Sequence, residues 1–352
     1  MAIPKAACAA AILLLSLATG VRAQEITLES KDLYSTRTLK GKSGPLGGDQ
    51  VVVKATSTLR GVLSLQVLDT NVAFVSYQKK AHTAKRDKAT DYIDLVGVDL
   101  TRTASGLRLE LRAPNPAPWE EPDYASVQVE LVVPVGSRVR IEAVYFDVEA
   151  VGPFAELVST ESLGRCEVAR VSERLEVATA NRRLTAEDVS GVVSLQTSNS
   201  TLTARNLHDL SGAATFRNEG GGIRIESCRG DLSVRSEYGR VEIRDFHSGF
   251  ERSHIRSLLG PVVVQIAEFG GGQLVVSNRH EDIELTVPEG LSSELTLAVE
   301  EGGRIDISDF LFVTDLVQPN RLGLRSGDGE GLISCSIRGK GNIYLWGSYE
   351  GD

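Results

Sequence analysis

The feature that most constrains this chain is a repeat of mostly 18 or 21 residues, running from about residue 136 to residue 308. Each repeat holds two short runs of alternating apolar and polar residues, and each run ends at a turn containing Gly. Alternation with a period of two puts apolar side chains on one side of an extended strand, so the repeat is built of strands. One strand series is Phe146-Asp147-Val148, Cys166-Glu167-Val168, Leu184-Thr185-Ala186, Leu202-Thr203-Ala204, Ile223-Arg224-Ile225, Val241-Glu242-Ile243, Val262-Val263-Val264 and Ile283-Glu284-Leu285. The other is Leu175-Glu176-Val177, Val193-Ser194-Leu195, Ala214-Thr215-Phe216, Leu232-Ser233-Val234 and Leu274-Val275-Val276, with a fainter member near Ile255. The pattern predicts an all-β fold: a single-stranded β-solenoid of about eight coils, with two strands per coil.

The turns keep the same step. Ser190-Gly191, Ser211-Gly212, Arg229-Gly230 and Ser248-Gly249 fall at matching points, and Gly239 and Gly260 mark the opposite turn. Gly is expected there because it adopts positive φ without steric cost. Val171, Val189, Leu207, Cys228 and Phe246 lie just past the first strands and are expected to point inward. One coil offers only about five inward apolar side chains, too few to offset the entropy of ordering it, so coils must stack. Open stack ends invite other strands, so the flanks are expected to cover them. Residues 24–135 are expected to form an irregular N-terminal β-domain, interrupted by the Pro-rich turn Pro114 to Pro122. Residues 136–308 form the solenoid. Residues 309–352 hold a loop-rich excursion, Asp309 to Gly331, and then C-terminal capping strands from Leu332 to Trp346. The second strand near Phe250 to Leu259 is poorly marked, which predicts a bulge or irregular coil there.

These motifs resemble the bacterial putative-adhesin β-solenoid family, a domain class of unknown function. Gly191-Val192-Val193-Ser194-Leu195-Gln196-Thr197, Gly230-Asp231-Leu232-Ser233-Val234-Arg235-Ser236 and Gly239-Arg240-Val241-Glu242-Ile243 carry the likeness. So do the strand ending in Val133-Pro134, the segment Val287-Pro288-Glu289-Gly290, and the closing Gly-rich loop and strand from Gly327 to Leu345. The resemblance covers most of residues 60–346. It implies a β-solenoid and an adhesin-like role, and it supplies no catalytic residues.

The N-terminus reads as a signal peptide over residues 1–23. Lys5 is followed by an apolar run from Ala6 to Leu17, and Val21-Arg22-Ala23 offers a cleavage pattern before Gln24. The apolar run is short for a membrane span, and no later stretch is apolar enough for one. The expected locations are therefore the periplasm, the cell surface or the medium. Loss of Lys5 and Arg22, with no acid, moves the formal charge from −9 to −11, which disfavours nucleic acid as a partner. Cys166, Cys228 and Cys335 would remain, and an odd, sparse set reads as buried free thiols.

Chemistry is sparse. Gly270-Gly271-Gly272 lacks the Lys-Ser/Thr of a phosphate loop and reads as a turn. His82, His208, His247, His254 and His280 show no metal-ligand spacing, so no metal or cofactor is expected. Asp188, Asp209, Asp231, Asp245 and Asp282 all fall at turns, where Asp satisfies backbone N–H groups. Glu187, Arg205, Glu226 and Arg244 should alternate in sign along the stack, beside a second outward row of Thr203, Arg224 and Glu242. Arg217, Arg235 and Arg256 should stack on the second face, where Glu219 and Glu237 could offset their repulsion. Those three form a candidate polyanion-binding strip. The expected function is a non-enzymatic, adhesin-like interaction scaffold for an unidentified envelope polymer, glycan or protein. The alternatives are a carbohydrate-active β-helix enzyme or an anionic-polysaccharide binder. Strand addition at an imperfectly covered solenoid end is a further reading.

Overall fold

The structure, a computed structural model, describes residues 25–348; the expected signal peptide lies outside the described residues. The fold is all-β, with 28 strands in one continuous open sheet and one described helix, Arg86–Asp94. Continuity comes from long strands such as Cys166–Ala180 and Leu184–Ser198, each bending from one face of the stack to the other. Along these strands alternate residues are buried, and the inward side chains of both faces meet in one apolar core.

The two predicted strand series form two columns of parallel strands. On the first face Cys166, Leu184, Leu202, Ile223, Val241, Val262 and Ile283 are successive partners. On the second face Ala214 pairs with Leu232, and Ser253 pairs with Leu274. Parallel strands buried between neighbours exclude water from both apolar layers and satisfy the backbone across the stack. Residues Phe250 to Leu259, expected to be irregular, include the regular strand Arg252–Ser257, with Ile255 buried. The irregularity lies on the first face instead, where Phe246 pairs with Ile266 and the register shifts.

The two corners work differently. At the first corner a non-glycine residue enters the left-handed region in successive repeats: Arg170, Asp188, Asn206, Ser227 and Asp245, with φ between 49° and 60°. Asn and Asp tolerate that region best among residues with a Cβ. Each bend turns the next residue inward, so Val171, Val189, Leu207, Cys228 and Phe246 are buried, in the places expected of them. At the opposite corner a column of buried polar side chains holds the turn. Thr179 donates to the Gly164 carbonyl at 2.7 Å, Asn218 to Ser200 and Gly222 at 2.7 and 3.0 Å, Ser236 to Gly239 at 3.0 Å, and Ser257 to Gly260 at 2.7 Å. Gly239 and Gly260 are not in the left-handed region. They are glycines because a Cβ on either would overlap the carbonyl group of Gly221 or Gly239 in the preceding repeat.

The ends hold the main departures from expectation. Pairing does not stop at residue 135. Strand Gln50–Ala55 lies between Gly106–Arg112 and Arg138–Glu142, and Arg60–Leu68 lies between Tyr124–Pro134 and Tyr145–Val151. Thus residues 50–68 are slotted between two segments that are consecutive in the chain. The C-terminal end repeats the device. Gly331–Ile337 lies between Gln273–Asn278 and Ser293–Val299, and Ile343–Ser348 lies between Ile283–Pro288 and Ile305–Ser308. This corrects the reading of Leu332 to Trp346 as capping strands, because they sit one layer in. Their alternate residues are fully buried, which requires cover on both sides. The excursion Asp309 to Gly331 is a hairpin, Val313–Gln318 and Arg321–Ser326, that pairs antiparallel with Ser293–Val299. At the other end, antiparallel strands Gly97–Thr103 and Phe74–His82 cover the two faces.

Candidate functional site

Two places on this frame concentrate chemistry. The first is the predicted Arg strip. Arg217 pairs in register with Arg235, and Arg235 with Arg256, all three exposed. Strands at this spacing set neighbouring Cα atoms about 4.8 Å apart, so three positive charges share a short column. Glu237 meets Arg235 at 3.8 Å, while the salt bridges among the described residues include none to Arg217 or Arg256. Glu219, expected to compensate, makes no such pair with Arg217. Burial, then the positive charges of Arg252 and Arg256, hold His254 below the ordinary histidine range.

The first-face charge ladder is of another kind. Glu187, Arg205, Glu226 and Arg244 are successive partners. Arg205 meets Glu226 at 2.8 Å and Arg224 meets the same carboxylate at 2.6 Å, so the arginines hold Glu226 below the usual carboxylate range. These charges satisfy one another. The turn carboxylates are likewise engaged. His208 contacts Asp188 at 3.2 Å and Asp209 at 3.1 Å, His247 contacts Asp245 at 3.0 Å, and Asp282 accepts the Asn342 N–H at 2.7 Å. Those contacts raise His208 above its ordinary range, the Asp209 hydrogen bond contributing most. The three thiols are buried, which pushes each up to about 12.

The second place was not singled out by the repeat. A cavity of about 480 Å³ opens at the N-terminal end, where the first-face strands begin. Tyr145, Arg60 and Tyr124 come from three adjacent strands, and the loop carrying Ala117, Trp119, Glu121 and Pro122 closes one side. His82 stacks on Tyr124 with ring centroids 4.1 Å apart, and the Arg60 guanidinium lies 5.0 Å from the same ring. These partners come from the strands on either side of Tyr124, so the ring is held from both faces. Trp119 is fixed edge-on against Tyr92 of the helix at 5.7 Å. The Thr58 hydroxyl donates to the Pro114 carbonyl at 2.8 Å and ties the two rim loops together. Asp123 accepts from the Thr83 hydroxyl at 3.0 Å and from Lys88 at 3.3 Å. The sequence carried little signal for it: Tyr92, Trp119, Tyr124 and Tyr145 are spread over residues 92–145, at a density close to that of the whole chain.

No protein-family model matches the chain, and no curated protein does. The chain is similar to a solved structure from Clostridium sporogenes described as a "putative cell adhesion protein". That match has 9% identity and a TM-score of 0.21 over 89% of this chain and 99% of the other. A second, from Bacteroides fragilis, is described as a "putative adhesin". It has 10% identity and a TM-score of 0.28 over 88% of this chain and 97% of the other. Among the described residues no helix is long and apolar enough to cross a membrane, and no cluster of three His, Cys, Asp or Glu is placed to hold a metal.

Proposed function

We propose that this chain is a non-enzymatic, exported β-solenoid that offers a rigid, adhesin-like surface to an envelope or extracellular partner. The observation that carries this reading is the continuous parallel pairing of the stack on both faces, in constant register apart from local shifts near Val189 and Phe246. Such a frame fixes outward side chains in straight columns, and a polymer with a regular repeat is the partner that columns fit. The Arg217, Arg235 and Arg256 column is the part of that surface least neutralised within the chain. An acidic polysaccharide is therefore the polymer class to which it corresponds. Engagement of the turn carboxylates by His208, His247 and Asn342 supports a structural role for them over a catalytic one. Export rests on the sequence of residues 1–23.

The test is to immobilise the chain beginning at Gln24 and screen acidic and neutral envelope polymers, reading both binding and the release of new reducing ends. Binding without release is expected. Release would move the chain to the carbohydrate-active alternative, and absence of any binding would remove the scaffold reading. Replacing Arg217, Arg235 and Arg256 together by Ala should weaken binding to the acidic polymers and flatten its salt dependence. Unchanged binding would remove the column from the site.

A second reading has its own observation. Strand Val313–Gln318 is exposed along its whole length and pairs on one side only. Leu311, Val313 and Val317 are 90%, 57% and 74% exposed. An apolar strand with a free edge is suited to strand addition, so this end of the stack can serve as an assembly point.

A further inference from the structure

The cavity between Tyr145, Arg60, Tyr124 and the loop of Trp119 is independent of the Arg column and faces a different task. Its lining is mixed in a particular way. Trp119, Tyr145, Pro122 and Ala117 provide apolar surface, while Arg60, Glu121, Asp123, Ser57 and Thr58 provide donors and acceptors at the rim. Both signs of charge are present, so a strongly charged ligand of either sign meets a like charge. An aromatic cage for a cation is disfavoured further, because the ring of Tyr124 is already covered by His82 and by the cationic Arg60. An uncharged molecule with one apolar face and many hydroxyl groups matches all parts of the lining. Its C–H face can lie on aromatic surface while its edge exchanges hydrogen bonds with guanidinium, carboxylate and hydroxyl groups.

We propose that this cavity is a binding site for a neutral saccharide. Its volume of about 480 Å³ lies in the range of small-molecule sites. The rim is organised before any ligand arrives. Thr58 holds the Pro114 carbonyl, Asp123 is anchored by Thr83 and Lys88, Tyr92 holds Trp119, and His82 holds Tyr124. These anchored groups have little side-chain freedom left to lose on binding, and rigid sites bind small ligands at lower cost.

The chain carries two Trp, and Trp346 lies in the layer at the opposite end of the stack. Trp346→Phe therefore leaves Trp119 as a single fluorescent reporter in the cavity. The experiment titrates this full-length variant with cellobiose, maltose, lactose and chitobiose and follows Trp119 emission. At least one disaccharide is expected to give a saturable change. Tyr145→Ala and Glu121→Gln alter exposed side chains, and their thermal melts by circular dichroism check that the fold is retained. Each should weaken the titration, Tyr145→Ala by about tenfold. Trp119→Phe, which reports only from Trp346, should give no response. The triple Ala replacement at Arg217, Arg235 and Arg256 should leave the titration unchanged, which separates this site from the polymer-binding face. Absence of a saturable change with all four disaccharides overturns the proposal. So does a titration that keeps its affinity in both rim variants while their melts match the parent.

Discussion

Asn206 shows how much of this fold rests on single residues. It is exposed, its φ is 52°, and it stands in the corner column between Asp188 and Ser227. Its contribution is conformational, since an ordinary side chain pays roughly 1–2 kcal/mol to enter that region. Asn206→Val should lower the free energy of unfolding by about that much, and Asn206→Gly should leave it nearly unchanged, as read by denaturant titration. His208, two residues on, gives a pH signature. Asp209 and Asp188 raise its folded-state value above the ordinary 6.5, so the charged ring stabilises the folded form. That contribution is fully present below pH 6.5 and is lost as pH rises through the raised folded value. His208→Gln should therefore melt below the parent on the acid side and converge with it at alkaline pH. The gap should be small and shrink with added salt, because the ring is 43% exposed.

At the scale of elements, the segment at 331–348 should matter more than an edge strand usually does. Gly331–Ile337 and Ile343–Ser348 each pair on both sides, and their removal leaves Ser293–Val299 and Ile305–Ser308 facing an empty slot. A chain ending at Gly327 should be cut readily by protease between residues 289 and 327, while the repeats before residue 273 stay protected. The repeats themselves were legible in the sequence because alternation is local: Leu202-Thr203-Ala204 declares its inward and outward positions without reference to any other strand. The slotting of residues 50–68 and 331–348 was not. Val51 faces Leu107 on one side and Val139 on the other, a choice made by three-dimensional fit among strands of similar pattern. The Arg column could be read from repeat spacing, whereas Trp119 sits in a Pro-rich loop that belongs to no repeat. Its site exists because Arg60, Tyr124 and Tyr145, far apart in the chain, begin neighbouring strands. The hairpin at 313–326 was hidden for a milder reason, its strands being short and joined at Pro319-Asn320.

For the molecule as a whole, the two ends differ. The N-terminal end is covered by antiparallel strands on both faces, of which Gly97–Thr103 pairs on one side only, and by the helix Arg86–Asp94, whose Ala89, Tyr92 and Ile93 are buried. The C-terminal end finishes in the half-paired strand Val313–Gln318. Self-association is expected chiefly through that strand, because Leu311, Val313 and Val317 beside its free edge are exposed. Val317→Lys places a charge on the free edge at a 74% exposed position and should reduce any concentration-dependent scattering without changing the melting temperature. A monomer at all concentrations in the parent chain would show that the edge is inert.

The slotting of residues 343–348 also has a mechanical meaning. A strand at a sheet edge can be peeled away one hydrogen bond at a time. Ile343–Ser348 is instead clasped by neighbours on both sides. Traction along that strand must shear two ladders together, so this part of the stack resists being drawn out.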